Sequence, residues 1–503
     1  MAAAVWLQSY VSSFFFIFAA TFITFSGLLL LVRWRPWCNC PVCRAYLSST
    51  WTAEFDNLCD WYAHLLRQSP TGTVQIHVLG NTITANPDNV EYMLKTNFDN
   101  FPKGKPFSTI LGDLLGHGIF NVDGEAWRFQ RKMASLELGS ASLRSYAFRI
   151  VSGEVHHRLL PLLAFVSDPS GDNTVELQDV FRRFAFDTVC KISFGLDPGC
   201  LELSLPMSEF AMAFDRASTL LARRGATIAP LVWKLKRFLN VGSERELRRS
   251  IRRVNVLADE VIRQRRILGS ASGHDLLSRF MSSVEDDRYL RDIVISFLLA
   301  GRDTVASSLT SVFFLLSQHP KVVAAIRDEV AAVTKGKDEN DEVPTYEQLK
   351  GMHYVTAVLH ESLRLYPPVQ FDSKFCLEDD VLPDGTMVTK NARVTYHPYA
   401  MGRMERIWGS DCFDFKPERW LRDGLFTPEG LFKYPVFQAG LRVCLGKEMA
   451  LMEMKAVIVS VVPRFDIEVI NGGRSPHFTP GLTATITGGL SVRVHRRSAT
   501  ACE

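Results

Sequence analysis

Phe437-Gln-Ala-Gly440-Leu-Arg442-Val-Cys444-Leu-Gly446 decides how this chain is read. It presents a single cysteine after a Gly-rich turn and before an amphipathic run, Leu445 to Val462, whose spacing predicts a helix. Unsatisfied backbone N–H groups and the dipole at a helix N-terminus favour a negative sulfur at that place. Gly440 and Gly446 permit a close backbone approach that a side chain would block. Arg442 supplies a cation suited to a carboxylate on a bound cofactor, and Phe437 can pack beside the sulfur and exclude water. No second Cys or His lies nearby in the chain, so the donor set fits one axial thiolate on haem iron better than zinc or an iron–sulfur cluster. Taken alone, Cys444 would read as a buried cysteine in a turn; the residues around it argue against that.

The stretch resembles the haem-binding loop of the cytochrome P450 monooxygenases, Phe-x-x-Gly-x-Arg-x-Cys-x-Gly. Leu441 stands where many members carry proline, a position that shapes the turn and ligates nothing. The resemblance implies haem b with Cys444 as its axial metal ligand, and Phe437, Gly440 and Arg442 among the cofactor-binding residues. Trp127-Arg-Phe-Gln-Arg131 is similar to the family's Trp-x-x-x-Arg motif. One helical turn separates the two residues, so Trp127 through its N–H and Arg131 as a cation are expected to reach one haem propionate.

Ala300-Gly-Arg-Asp303-Thr304-Val follows the apolar run Val294 to Leu299 inside a long helical stretch. An acid and a hydroxyl in an apolar helix are costly unless partnered. Thr304 can hydrogen-bond the carbonyl four residues back and open the helix, and Gly301 removes side-chain bulk at the same level. The hexapeptide resembles the family's oxygen-activation motif, with Val305 replacing the more usual Thr or Ser. The resemblance implies catalytic roles for Asp303 and Thr304 in proton delivery to O₂. Relatives that isomerise hydroperoxides without O₂ generally lack this pair. Glu361-Ser-Leu-Arg364 pairs opposite charges at i and i+3, worth only about 0.2–0.5 kcal/mol in isolation. With Pro417-Glu-Arg419-Trp420 downstream, the family pattern implies one buried network of Glu361, Arg364 and Arg419 supporting the haem pocket; Trp420 stands where Phe is more usual.

The chain has 503 residues, 47% of them hydrophobic, enough for a large core. Length alone suggests about three domains of ~150 residues, but no linker, repeat or low-complexity tract divides the sequence. Lys and Arg outnumber Asp and Glu by only 57 to 54, which gives no support to nucleic-acid binding. Met1 to Val32 carries no charged side chain, and Val11 to Val32 is long enough to span a bilayer, which needs about 20 apolar residues. Arg33, Arg35 and Arg44 follow, predicting a lumenal N-terminus and a cytoplasmic body. Residues 1–35 are therefore expected to be a signal anchor and 36–503 a single catalytic domain. The ten cysteines are scattered and are expected to stay reduced in a cytoplasmic body. Cys38, Cys40 and Cys43 cluster just past the anchor; metal binding is one reading, and palmitoylation or no role is the plainer one.

Elsewhere the pattern predicts a mainly α fold with small β-sheets. Thr50 to Pro70 reads as helical. Thr73 to Val78 and Asn81 to Thr84 alternate around Gly80 as a hairpin. Pro87-Asp88 opens a short helix through Lys95. Arg288 to His319 forms one long helix stopped by Pro320, and strands are expected around Val394 to Tyr396 and within Thr483 to Val494. The basic stretch Lys234 to Arg266 reads as a solvated helix face.

No Gly-x-Gly-x-x-Gly after a strand, P-loop or His-Glu-x-x-His occurs, so electrons must come from outside. The resemblance implies an NADPH-dependent reductase partner and an endoplasmic reticulum membrane location. Tyr366 to Lys374 and Tyr399 to Trp408 look like the plant fatty-acid ω-hydroxylase clan, and most like the group that oxidises jasmonoyl-isoleucine. The expected substrate is an apolar, carboxylate-bearing small molecule oxidised at its terminal carbon: jasmonoyl-isoleucine, or its 12-hydroxy derivative carried on to the 12-carboxy form. Free fatty acids are the alternative; an O₂-independent isomerase or a non-catalytic haem protein are more distant ones. Lys103 and Lys105 are the candidates for the cation that meets the substrate carboxylate.

Overall fold

The computed structural model describes residues 18–24, 27, 38–168, 173–202, 209–226, 230–268, 274–334, 343–470, 477–479 and 481–497. Most of the expected anchor, 11–32, lies outside them; residues 18–24 are helical, with Phe18, Phe22 and Ile23 exposed.

The core is a bundle of helices that are apolar nearly all round, as elements buried on every side must be. In Asp303–Gln318, every residue from Val305 to Leu316 is buried. The same holds from Leu451 to Val461 of Lys447–Val461 and from Val355 to Leu365 of His353–Leu365. Leu177–Phe194 packs across Asp303–Gln318, with Phe181 and Phe313 5.2 Å apart between ring centroids. Among the described residues the one helical run long and apolar enough to cross a membrane is Asp287–Gln318, and most of it is buried inside the protein. It is a core helix.

That run departs from the sequence expectation in one respect. It is two helices, Asp287–Gly301 and Asp303–Gln318, broken at Arg302. Pro320 then opens the next helix, Pro320–Val333, with its missing N–H at a position that needs none. Three other boundaries shift. The 50–70 segment divides into a 3₁₀ turn, Thr50–Ala53, and a helix, Leu58–Gln68, capped by the Asn57 side chain. Pro87–Glu91 continues as a π-turn, Tyr92–Thr96. The helix after the cysteine loop begins at Lys447.

The sheets are small. Thr73–Ile76 and Asn81–Thr84 form the expected hairpin, with Thr73 opposite Thr84 and Gly80 at φ 55° in the turn. Arg393–Tyr396 adds in parallel to Asn81–Thr84, and Asp372–Phe375 lies antiparallel at the far edge. A second sheet joins Phe465–Val469, Ser491–Arg496 and Thr174–Glu176. In the basic helix Gly242–Leu268, Arg248, Arg249, Arg252 and Arg253 are exposed while Leu247, Ile251 and Val254 are buried, so the charge run is a solvated face.

One buried acid in this core gives the protein a pH dependence. Thr188 Oγ1 lies 2.6 Å from Glu453 Oε1 and 3.1 Å from the carbonyls of Phe184 and Ala185. One hydroxyl proton cannot serve three acceptors, so a protonated Glu453 completes the set. Burial lifts this carboxyl to about 8, from an ordinary 4.5. The folded protein then keeps a proton that the unfolded chain releases between those values. Its stability contribution is fully present below pH 4.5 and is lost as pH rises through 8, at up to about 1.4 kcal/mol per pH unit. Glu453→Gln should raise Tm at pH 8 and leave it unchanged near pH 4.5. Thermal melts across that range check this, and parallel curves for the two proteins would contradict it.

Candidate functional site

Cys444 sits three residues before Lys447–Val461, its N–H donating to the Phe437 carbonyl at 2.7 Å. The thiol has an accessible face, yet protein crowds it enough that burial pushes its pKa up, against the Gly446 N–H, Arg131 and Lys447, which pull it down. Coordination to a metal would make it a thiolate outright, since a coordinating thiol loses its proton. Phe437 packs on the core, its ring 6.4 Å from that of His360, and the Lys447 ammonium lies 5.6 Å from its centroid.

The two glycines of the loop differ. Gly440 is at φ 60°, and a Cβ there would lie 2.0 Å from the Leu94 carbonyl oxygen. Its need for glycine comes from the π-turn Tyr92–Thr96 packed beneath the loop. A Cβ at Gly446 would meet only the Cys444 sulfur, at 4.0 Å.

Trp127 and Arg131 lie on Gly124–Leu138. Trp127 is buried, with the Arg442 guanidinium 4.5 Å from its ring centroid and the Phe98 ring 5.5 Å away. Arg131 is close enough to Cys444 and Arg442 for both charges to act on it, while burial lowers its pKa. The structure thus brings Trp127, Arg131, Arg442 and Cys444 together. Arg442 also has a partner that sequence reasoning missed: its Nη2 donates to Asp123 Oδ1 at 2.5 Å and to the Val122 carbonyl at 3.3 Å. Asp123 precedes a helix, where an acid ordinarily caps the first turn. Its carboxylate instead accepts from the Lys103 and Gly104 N–H groups, at 3.0 and 2.9 Å, and makes no cap. Arg442 Nε is buried without a partner among the described residues. An accessible thiol beside two arginines, one with a free buried donor, is chemically suited to a haem with its iron and anionic propionates.

At the helix break, Thr304 Oγ1 donates to the Ala300 carbonyl at 2.6 Å, the back-bond that the sequence led us to expect. A Cβ on Gly301 would come within 2.6 Å of Val189 Cγ2, so glycine there lets Leu177–Phe194 approach. Asp303 is raised above its usual carboxylate pKa by burial, with Arg302 opposing. Arg302 is fully buried; it donates to Asp303 Oδ1 at 3.2 Å and pairs with both oxygens of Asp215 on Glu209–Ala226. Sequence reasoning missed this pair because its members are 87 residues apart.

Glu361 and Arg364 are both fully buried and joined by two 2.8 Å hydrogen bonds, Nε to Oε2 and Nη2 to Oε1. Arg419 Nε adds a weaker contact to Glu361 at 3.4 Å. The Trp420 indole N–H donates to Glu361 Oε2 at 2.9 Å, and the Lys416 N–H to Oε1 at 3.0 Å. Tryptophan at 420 is therefore a donor to the network as well as an aromatic filler. Arg364 also donates to the carbonyls of Gly402, Cys412 and Asp414.

Lys103, one of the two cations considered for the substrate, is already committed. It is buried against Asp372, with its ammonium 4.5 Å from the Phe107 ring centroid. Burial pushes Asp372 up, but Lys103 and Lys374 outweigh it and hold the carboxyl below its usual range. Lys105 is exposed.

A broken core helix, an accessible thiol loop and a buried Glu–Arg network are together the plan of a haem–thiolate enzyme. The chain belongs to the cytochrome P450 family, whose sequence profile matches residues 60–491. It is 57% identical over 493 residues to cytochrome P450 94C1 of Arabidopsis thaliana, covering 97% of this chain and 98% of that one. Cytochrome P450 94B3 of the same plant is 50% identical over 456 residues, 88% of each chain. Cytochrome P450 94A2 of Vicia sativa is 41% identical over 481 residues, 92% of each. The fold matches a crystal structure of the cytochrome P450DA heme domain with a TM-score of 0.73 at 22% identity, over 89% of this chain and 94% of that one. The protein is a haem-dependent monooxygenase supplied with electrons by a redox partner.

Proposed function

We propose that this monooxygenase oxidises the terminal carbon of a carboxylate-bearing acyl substrate, jasmonoyl-isoleucine or its 12-hydroxy derivative, carrying the chain end to the 12-carboxy form. Residues 1–35 anchor it in the endoplasmic reticulum membrane, 36–503 form the cytoplasmic catalytic domain, and an NADPH-dependent reductase supplies the electrons. Cys444 holds the iron, and Arg442, Arg131 and Trp127 hold the anionic edge of the haem. Bound there, haem supplies O₂ activation and insertion of one oxygen atom into a C–H bond.

The observation that carries the reading is the opened helix at Arg302. At it the Thr304 hydroxyl turns back onto Ala300, and the half-buried Asp303, its neighbour in the chain, pairs with Arg302. Thr304 offers lone pairs and an exchangeable proton, and Asp303, raised by burial against the opposing Arg302, can replenish it. Phe297, 5.7 Å from Phe280, lies among apolar residues on the N-terminal side of the break and suits a hydrocarbon tail. The identity running along the whole chain supports the branch read from Tyr366–Lys374 and Tyr399–Trp408.

Two measurements test this. Under isotopically labelled O₂ with reductase and NADPH, the label should appear at the terminal carbon of the acyl product; label at an internal carbon, or none, would overturn the regiochemistry. Thr304→Ala should continue to consume NADPH while releasing peroxide. Product per NADPH should fall toward the roughly 100-fold loss that removing a positioned proton donor can cause, and unchanged coupling would remove Thr304 from proton delivery.

A further inference from the structure

Cys38, Cys40 and Cys43 end a segment that the haem chemistry does not use, and the fold brings a fourth donor to them. His77 stands in the 3₁₀ turn His77–Leu79, between the hairpin strands Thr73–Ile76 and Asn81–Thr84. Its Nδ1 is 3.4 Å from Cys38 Sγ and 3.9 Å from Cys43 Sγ. The four donor atoms, three sulfurs and one imidazole nitrogen, all lie within 4.8 Å of one another. A tetrahedral zinc ion with Zn–S near 2.3 Å and Zn–N near 2.0 Å requires donors about 3.5–3.8 Å apart. The two sulfur–nitrogen separations already bracket that edge.

The local chain is arranged for the same purpose. Cys40 precedes the helix Pro41–Ser48, and its sulfur accepts the Cys43 N–H at 3.4 Å. Such a bond favours a thiolate and fixes the sulfur's direction. The next N–H, of Arg44, returns to the Cys40 carbonyl at 3.0 Å, so Cys40 and Cys43 project from one tight turn. Cys43 is buried, Cys38 and Cys40 are half-buried, and His77 keeps an exposed edge, which leaves a route for an ion.

We propose that Cys38, Cys40, Cys43 and His77 form a structural Zn²⁺ site that staples the segment following the anchor to the edge of the four-stranded sheet. Zinc exchanges its water for three thiolates and one neutral imidazole, releasing up to three thiol protons. No electron moves, and the closed four-ligand shell leaves no position for substrate. The site deepens the hairpin's role: the strand Asn81–Thr84 is hydrogen-bonded directly to Arg393–Tyr396, so the staple would fix the catalytic body relative to the membrane segment.

The test uses the full-length holoenzyme in detergent, washed with chelator and then given Zn²⁺ alone. One zinc per chain should be retained after desalting, and its X-ray absorption should show three sulfur ligands and one nitrogen. His77→Ala, an exposed substitution, should weaken zinc binding by at least the roughly 10–100-fold that loss of a supporting group costs. His77→Cys should restore it with four sulfurs. Cys38→Ser with Cys40→Ser should abolish it while the haem–thiolate spectrum persists, which keeps the zinc result independent of catalysis. Zinc retained equally by wild type and all variants would overturn the site. So would no retained zinc, with thiol counting showing the three cysteines disulfide-bonded or acylated.

Discussion

Cys444→Ala is expected to abolish the thiolate-type haem spectrum and reduce turnover to background. The described chain brings no other thiol to the arginine pair at Arg442 and Arg131: the remaining described cysteines are buried or half-buried at other places in the fold. Without the sulfur, the loop would offer no thiolate to hold a haem iron and tune its O₂ chemistry. The cost to the fold should be small, because Cys444 anchors the loop through its backbone N–H to Phe437, which the substitution keeps. Absorption spectra of the reduced protein with carbon monoxide, taken beside far-ultraviolet circular dichroism, separate loss of ligand from loss of fold. A surviving thiolate spectrum in a folded variant would refute the assignment.

Glu361→Ala should have the largest effect on the fold itself. Glu361 accepts from Arg364, Arg419, Trp420 and the Lys416 backbone in a fully buried setting. Its removal strands the Arg364 guanidinium, which is fully buried. Breaking a buried pair in this way costs roughly 3–5 kcal/mol, a large part of the 5–15 kcal/mol that typically separates folded from unfolded chains. Expression should fall sharply, with little haem incorporated. Urea unfolding of whatever folds should show a midpoint shift of that size with an unchanged slope. Arg419→Lys, which disturbs a 3.4 Å contact at the network's margin, should cost much less. Equal effects of the two substitutions would contradict the ranking.

The parts of this account that rest on neighbours in sequence were legible before the structure. The Thr304 back-bond to Ala300 and the Glu361–Arg364 pair are fixed by spacings of four residues or fewer along a helix, and the cysteine loop by ten consecutive residues closed through the Cys444 N–H to Phe437. The hairpin at Gly80 was legible for the same reason. What could not be read were partners joined only by the fold. Asp123 meets Arg442 across 319 residues, Asp215 meets Arg302 across 87, and His77 meets Cys38 across 39. Asp123 itself stands at an N-cap position yet makes no cap, its carboxylate being taken up by Arg442 and the Lys103 and Gly104 N–H groups. Gly440 was read as permitting a close backbone approach, and the backbone that makes it, the Leu94 carbonyl, could be found only in the fold.

The substrate reading meets its most direct test in a competition. The membrane fraction, with reductase and NADPH, is offered jasmonoyl-isoleucine, its 12-hydroxy derivative and a medium-chain fatty acid together, and the products are analysed. Preferred conversion of the 12-hydroxy conjugate to its dicarboxylic form is the predicted result. Preferred ω-hydroxylation of the fatty acid, with both conjugates untouched, would contradict it.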